Sequence, residues 1–189
     1  MSKDQVTGIV LAGGRGTRFG GKDKGLHQYL GRLLIEHSLE SLQPQLGKIV
    51  ISCNRNQAEY AKLGFETVVD ERTEFQGPLA GIEAGLAKCD TPYALIYACD
   101  QLSANASLVR DLLAVIETGN LDIVCLRDQQ QTHYLTALLK VNLLPSLQEF
   151  LNSGGRKVAN WYARNELGLL DSDRILRNIN AEADLNDIS

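Results

Sequence analysis

The sequence is poor in the features that mark several whole classes of protein. It has only four cysteines, Cys53, Cys89, Cys99 and Cys125, scattered without a C-x-x-C pair. That excludes a zinc ribbon or a disulfide framework and makes a reducing, cytoplasmic setting the expectation. No apolar run approaches the roughly 20 residues that a bilayer crossing needs, so no membrane association is expected. Asp4 and Gln5 stand where a signal peptide requires its apolar stretch, and export is not expected. Positive charge is not in excess: 19 Lys+Arg against 23 Asp+Glu gives −4, the wrong sign for a general nucleic-acid binder. The three histidines, His27, His37 and His133, are unclustered, and no Ser-His-Asp or Cys-His constellation stands out.

What is present is an ordinary globular composition, 44% hydrophobic and 22% charged, in a chain of 189 residues. That length accommodates one core without staples, and one domain over 1–189 is expected. Short apolar, β-branched runs alternate with helical periodicity. Strands are predicted at Val6–Leu11, Lys48–Cys53, Glu66–Val69, Tyr93–Ala98, Ile123–Leu126 and Tyr134–Val141. Helices are predicted at Leu34–Leu42, Gln57–Leu63, Leu79–Lys88, Ala106–Thr118, Leu143–Leu151 and Lys157–Arg164. Continuous apolar strands separated by helices imply a mostly parallel sheet covered on both faces, a Rossmann-like three-layer α/β/α arrangement. Ligands in such sheets sit beyond the carboxyl ends of the strands, so the residues just after each strand are the candidates.

The segment after the first strand, Leu11-Ala12-Gly13-Gly14-Arg15-Gly16-Thr17-Arg18-Phe19-Gly20-Gly21-Lys22-Asp23-Lys24, is the densest signal. Glycines let backbone N–H groups approach a ligand and form an anion-binding concavity. Arg15, Arg18, Lys22 and Lys24 face only one acid, Asp23, in a protein that is acidic overall. A multiply charged anion such as a nucleoside triphosphate accounts for this concentration of cations; a solvated surface turn is the plainer alternative. Two common phosphate motifs fail. Gly16 to Lys22 matches G-x-x-x-x-G-K, but Asp23 replaces the Ser/Thr that binds magnesium, and Phe19 stands at the third glycine of G-x-G-x-x-G. Asp100, just past the strand Tyr93–Ala98, is an oxygen ligand of the kind Mg²⁺ prefers. An Asp ending a strand also suits a turn or a helix cap.

Leu11-Ala12-Gly13-Gly14, Arg18, Gly20 and Lys24 resemble the L-A-G-G-x-x-x-R-x-G-x-x-K signature of GT-A-like nucleotidyltransferases, with one residue more before the lysine. The resemblance is strongest to the molybdenum cofactor guanylyltransferases. It continues through Asp23-Lys24-Gly25-Leu26, Asn54-Arg55-Asn56-Gln57, Val69-Asp70, Gly77-Pro78-Leu79-Ala80-Gly81, Cys99-Asp100, Arg156-Lys157-Val158 and Asn178-Ile179-Asn180. It implies a GT-A-like fold and transfer of GMP from GTP to the terminal phosphate of molybdopterin or Mo-molybdopterin. Other cofactor-biosynthesis proteins and recipient molybdoenzymes are then the implied partners. It implies nucleotide contacts at Leu11, Ala12, Gly13, Gly14, Lys24, Ser52, Asp70 and Asp100. Mg²⁺ falls on Asp100, and charge neutralisation on Arg18 and Lys24. Ser52 stands where some relatives carry Asn, with Asn54 nearby.

Acceptor contacts fall on Arg156, Lys157, Asn178 and Asn180, with His133 a further candidate in that pocket. Each also suits a purely local role, as a helix start or a turn. The family usually shows P-C-D-x-P, whereas this chain has Ala98-Cys99-Asp100-Gln101-Leu102. Without the two prolines that fix φ, a looser turn is expected around Asp100. A cytidylyl or sugar-1-phosphate nucleotidyltransferase, or a non-catalytic nucleotide binder, are the alternatives the residues leave open.

Overall fold

Strand β1 (Val6–Leu11) is buried at every position, as a run of Val, Ile and Leu flanked by helices on both sides must be. Alternate residues serve opposite faces. Val6 and Val10 join one apolar cluster, Ile9 and Leu11 the other. In the computed structural model, residues 3–13, 23–72, 77–101 and 104–173 are described. Residues 14–22 of the cationic glycine segment, Gly14 and Arg18 among them, and Asn178 and Asn180 lie outside the described residues.

The central sheet adds β4 (Lys48–Ser52), β5 (Glu66–Val68), β6 (Tyr93–Ala98), β7 (Ile123–Arg127), β8 (Thr132–Lys140) and β9 (Leu167–Asp171). Its order is β5-β4-β1-β6-β8-β7-β9, with β8 running against its neighbours and the other pairings parallel. Helices α1 (Leu34–Leu42), α2 (Gln57–Ala61) and α4 (Leu108–Thr118) cover one face. Helices α3 (Pro78–Leu86), α5 (Leu144–Asn152) and α6 (Val158–Tyr162) cover the other. The three-layer, mostly parallel α/β architecture expected from the sequence is the one found. The chain order reverses between β1 and β6, which opens a crevice above their carboxyl ends.

The differences are local. A hairpin of β2 (Gln28–Tyr29) and β3 (Arg32–Leu33) follows Lys24 and turns at Leu30 and Gly31, both at positive φ. Strand β9 has no β-branched residue in Leu-Gly-Leu-Leu-Asp and is only half-buried at the sheet edge, so it carries no apolar-run signal. Gly168 lets the Leu121 side chain lie against β9, where a Cβ would stand 2.2 Å from Leu121 Cδ1. Helix α3 begins at Pro78, in the first turn where proline's missing N–H costs nothing. It presses Gly81 and Gly85 against the sheet; a Cβ on Gly81 would stand 2.5 Å from Ser52 Oγ.

Candidate active site

A cleft of about 290 Å³ opens over the carboxyl ends of β1, β4 and β6. Leu11, Ala12 and Gly13 form one wall as β1 runs out. Ala12 N donates to Ser52 O at 2.9 Å, and Cys99 N donates to Leu11 O at 3.1 Å, so the three strand ends are stitched together. Ser52, Asp70, Lys24 and Asp100 also line the cleft. Every described residue to which the sequence assigned a nucleotide contact is therefore in one cavity. Gly77, Pro78 and Gly81 bring the amino end of α3 to the same place.

Lys24 Nζ donates to Asp100 Oδ2 across the cleft, with both side chains largely covered. Asp100 Oδ1 is buried and has no hydrogen-bond partner among the described residues. A buried carboxylate oxygen left in that condition is costly unless something further meets it. Its charge is felt nearby. Burial first, and Asp100 second, push the Cys99 thiol and the Tyr97 hydroxyl above their ordinary values. Among the described residues no group of three His, Cys, Asp or Glu is placed to hold a metal by itself. The donor set therefore fits a hard divalent cation that takes one carboxylate from the protein and its other oxygens from phosphates, the usual habit of Mg²⁺.

Two arrangements were not foreseen. Asn54 and Asp70 clasp each other: Asn54 Nδ2 donates to Asp70 Oδ2, and Asp70 N donates to Asn54 Oδ1 at 3.0 Å. This fixes Asp70 at the cleft edge. Asp23, which spoils the phosphate-loop motif, is an anchor instead. Its Oδ1 accepts from Tyr60 Oη at 2.6 Å and Gly25 N at 3.2 Å, and its Oδ2 from Asn56 Nδ2 at 3.1 Å. Tyr60 is fully buried, so the chain is pinned one residue before Lys24. Only partners 33 to 37 residues distant reveal that role.

The candidate acceptor residues stand differently. Arg156 Nη1 donates to Leu151 O at 2.9 Å and Gly155 O at 2.6 Å, closing the end of α5. Its backbone carbonyl comes within 3.9 Å of where a Gly77 Cβ would stand, so this segment abuts the cleft rim. Lys157 caps α6 through its backbone carbonyl, which accepts from Asn160 N and Trp161 N. Neither side chain lines the cleft. His133 is buried and bound to Asp128 at 2.8 Å, away from the cleft, although Leu135 on the same strand reaches it. His37 bonds Tyr29 O at 3.0 Å.

A strand-end cleft with an anchored lysine, an under-partnered aspartate and a glycine-bearing loop defines a nucleotide-handling α/β protein. Comparison with known proteins is more specific. The family model described as the MobA-like NTP transferase domain matches residues 8–166. The chain belongs to that family. It is 38% identical over 161 residues to a molybdenum cofactor guanylyltransferase of Shewanella baltica (strain OS185), covering 85% of this chain and 82% of the relative. It is 38% identical over 187 residues to one of Cupriavidus necator, covering 95% and 94%. Molybdopterin-guanine dinucleotide biosynthesis protein A of Archaeoglobus fulgidus has the same fold, with a TM-score of 0.78 at 24% identity over 96% of this chain and 95% of that one.

Proposed function

We propose that this chain is a guanylyltransferase that moves GMP from GTP onto the terminal phosphate of molybdopterin, with or without bound molybdenum, and releases pyrophosphate. Family membership and two relatives of that name at 38% identity support the reaction. One observation carries the reading: the glycine wall, Lys24 and Asp100 converge on a single cleft.

The attacking phosphate is already largely ionised at neutral pH, its second pKa being near 6, so no protein base is needed. Its oxygen forms a bond to the α-phosphorus of GTP as the bond to the bridging oxygen of the β-phosphate breaks. Pyrophosphate carries that electron pair away. The protein's part is then position and charge. Leu11 and Ala12, whose N–H is held by Ser52 O, wall the nucleotide, and the N–H groups of Gly13 and Gly14 are the ones that meet phosphate oxygens. Lys24 exchanges its Asp100 partner for triphosphate oxygens, and Arg18 joins it on the departing pyrophosphate. Asp100 would hold Mg²⁺, which when bound neutralises charge on the phosphates. Asp70, held by Asn54, and Ser52 face the nucleoside. Arg156, Lys157, Asn178 and Asn180 are the proposed acceptor side, within a domain spanning 1–189 and a cytoplasmic setting.

The test is pyrophosphate release by the purified chain from each of GTP, CTP, ATP and UTP, with molybdopterin and Mg²⁺, and with EDTA as control. Release from GTP alone, abolished by EDTA, is expected. Preference for CTP, or nucleotide binding without release, overturns the reading.

A further inference from the structure

The turn that carries Asp100, Ala98-Cys99-Asp100-Gln101-Leu102, contains no proline, yet it is tied on three sides. On α1, Ser38 is fully buried, and its Oγ donates toward Gln101 O at 2.8 Å and Cys99 O at 3.2 Å. One hydroxyl thus holds the carbonyls immediately before and after Asp100. Because a peptide unit is planar, fixing a carbonyl direction fixes its whole plane. The side chain of Gln101 is buried too, and its Oε1 accepts from Thr136 Oγ1 on β8. Backbone bonds add Cys99 N to Leu11 O and Gln101 N to Ala98 O, each 3.1 Å.

The ties continue along α1 and into the turn that follows it. Ser41 Oγ accepts from Ala104 N at 3.0 Å, three residues after Ser38. Four residues later, Gln45 donates to Asn105 O at 3.0 Å and accepts from Val109 N at 3.1 Å. The spacing of three puts Ser38 and Ser41 on the same helical face, and Gln45 follows in the turn after α1. Ser38 is the buried end of this stripe, among Leu34, Ile35, Leu39 and Leu42. An apolar residue there would bury more hydrophobic surface; a hydroxyl suits it only because two carbonyls need a donor.

We propose that Ser38, acting with the Gln101–Thr136 pair, is a positioning device that aims the Asp100 carboxylate into the cleft, in place of the stiffening that proline would supply. This rests on the reading of Asp100 as the acid facing the cation and phosphates. Ser38 and Thr136 touch neither, and act through the Cys99–Asp100 peptide plane and through Gln101, whose carbonyl and side chain they hold.

The experiment compares Ser38→Ala, Thr136→Val and Thr136→Ser with the parent chain. Hydrogen exchange of the amides at 99–101 is measured on the protein without nucleotide, alongside its denaturant midpoint. GMP transfer is measured as a function of Mg²⁺ concentration. Loss of one such hydrogen bond should be felt at about the tenfold level. Ser38→Ala should exchange ~10-fold faster at 99–101 while the core strands stay protected. It should lose roughly tenfold in kcat and need more Mg²⁺, with KM for GTP nearly unchanged. Thr136→Val, almost isosteric, should move the same readouts in the same direction, and Thr136→Ser should restore them. Parental local exchange together with parental kcat and Mg²⁺ requirement in both deletion variants overturns the proposal. A parent chain that transfers no GMP overturns the assigned activity instead, and exchange at 99–101 still decides whether these ties hold the turn.

Discussion

Two aspartates stand just past the ends of β6 and β7, two strands that run the same way with β8 between them, and their surroundings are opposite. Asp128, after β7, is saturated. Its Oδ1 accepts from Gln130 N at 2.8 Å and Gln131 N at 2.9 Å, and its Oδ2 meets His133 at 2.8 Å. Asp100, after β6, has only Lys24 on one oxygen and no hydrogen-bond partner among the described residues on the other. Both are buried or nearly so, and both follow an apolar strand. The difference teaches that the strand end itself does not make a site. Asp128 spends its acceptors on closing its own hairpin, whereas Asp100 keeps acceptors available to whatever enters the cleft.

The strongest way to break this contrast is to remove each carboxylate. Asp100→Asn should lose roughly 10²–10³ in GMP transfer, the cost of deleting one preorganised electrostatic group, while its unfolding free energy stays within ~1 kcal/mol of the parent. Lys24→Ala should fall in the same activity range with a similar midpoint. Asp128→Ala should do the reverse. It strands two N–H groups and a buried imidazole, so stability should drop by about 3 kcal/mol while the folded fraction transfers GMP at the parental rate. Equilibrium denaturation and initial rates on the three variants decide this. If Asp128→Ala lost transfer while keeping its stability, the contrast would be gone.

Much of this was legible in one dimension. β1, β6 and α1 fall where apolar runs and helical spacing put them, because burial on both faces of a central strand forces a continuous apolar sequence. The glycine wall and Asp100 were legible because strand ends in parallel sheets point to one crevice, whereas Ser52 and Asp70 were reached through the family resemblance. What the sequence hid is long-range and polar. Ser38, Ser41 and Gln45 look like an indifferent polar stripe until residues 99–109 are laid along them, about 60 positions away. Asp100 and Asp128 are alike in sequence; only the hairpin N–H groups tell them apart. Edge strand β9, without β-branched residues, carries no signal of its own.

A smaller effect should appear where α3 meets the cleft. Alanine suits a helix better than glycine by up to about 1 kcal/mol, but a Cβ at Gly81 would stand 2.5 Å from Ser52 Oγ and 3.2 Å from Leu11 Cδ2. Both neighbours line the cleft. Gly81→Ala should therefore lose about 1–2 kcal/mol of stability to overpacking and bind GTP about five- to tenfold more weakly, a loss of roughly 1 kcal/mol. Titration with GTP measures it. An unchanged affinity would mean that the nucleotide does not lie against this part of α3.

The finest comparison uses the thiols beside the two aspartates. Burial alone pushes the Cys125 thiol up to about 12, three residues before Asp128. Cys99 is raised by burial first and by the Asp100 charge second, with Lys24 pulling the other way. An unfolded chain releases these protons near pH 9 while the native state retains them. Their contribution is therefore complete below about pH 9 and declines as the pH rises through the native values. Cys125 alone accounts for roughly 1 kcal/mol per pH unit in that window. Asp100→Asn removes the second-largest cause acting on Cys99, but burial, the largest, remains and keeps the native thiol protonated through pH 10, so the decline between pH 8 and pH 10 should stay close to the parent's. Asp128→Asn should leave the slope as it is, because no charge contributes at Cys125. Denaturant midpoints at pH 8 and pH 10 measure both slopes. A clearly shallower decline in Asp100→Asn alone would mean that the Asp100 charge, and not burial, holds the Cys99 proton, and that this charge reaches the core more strongly than its pairing with Lys24 implies.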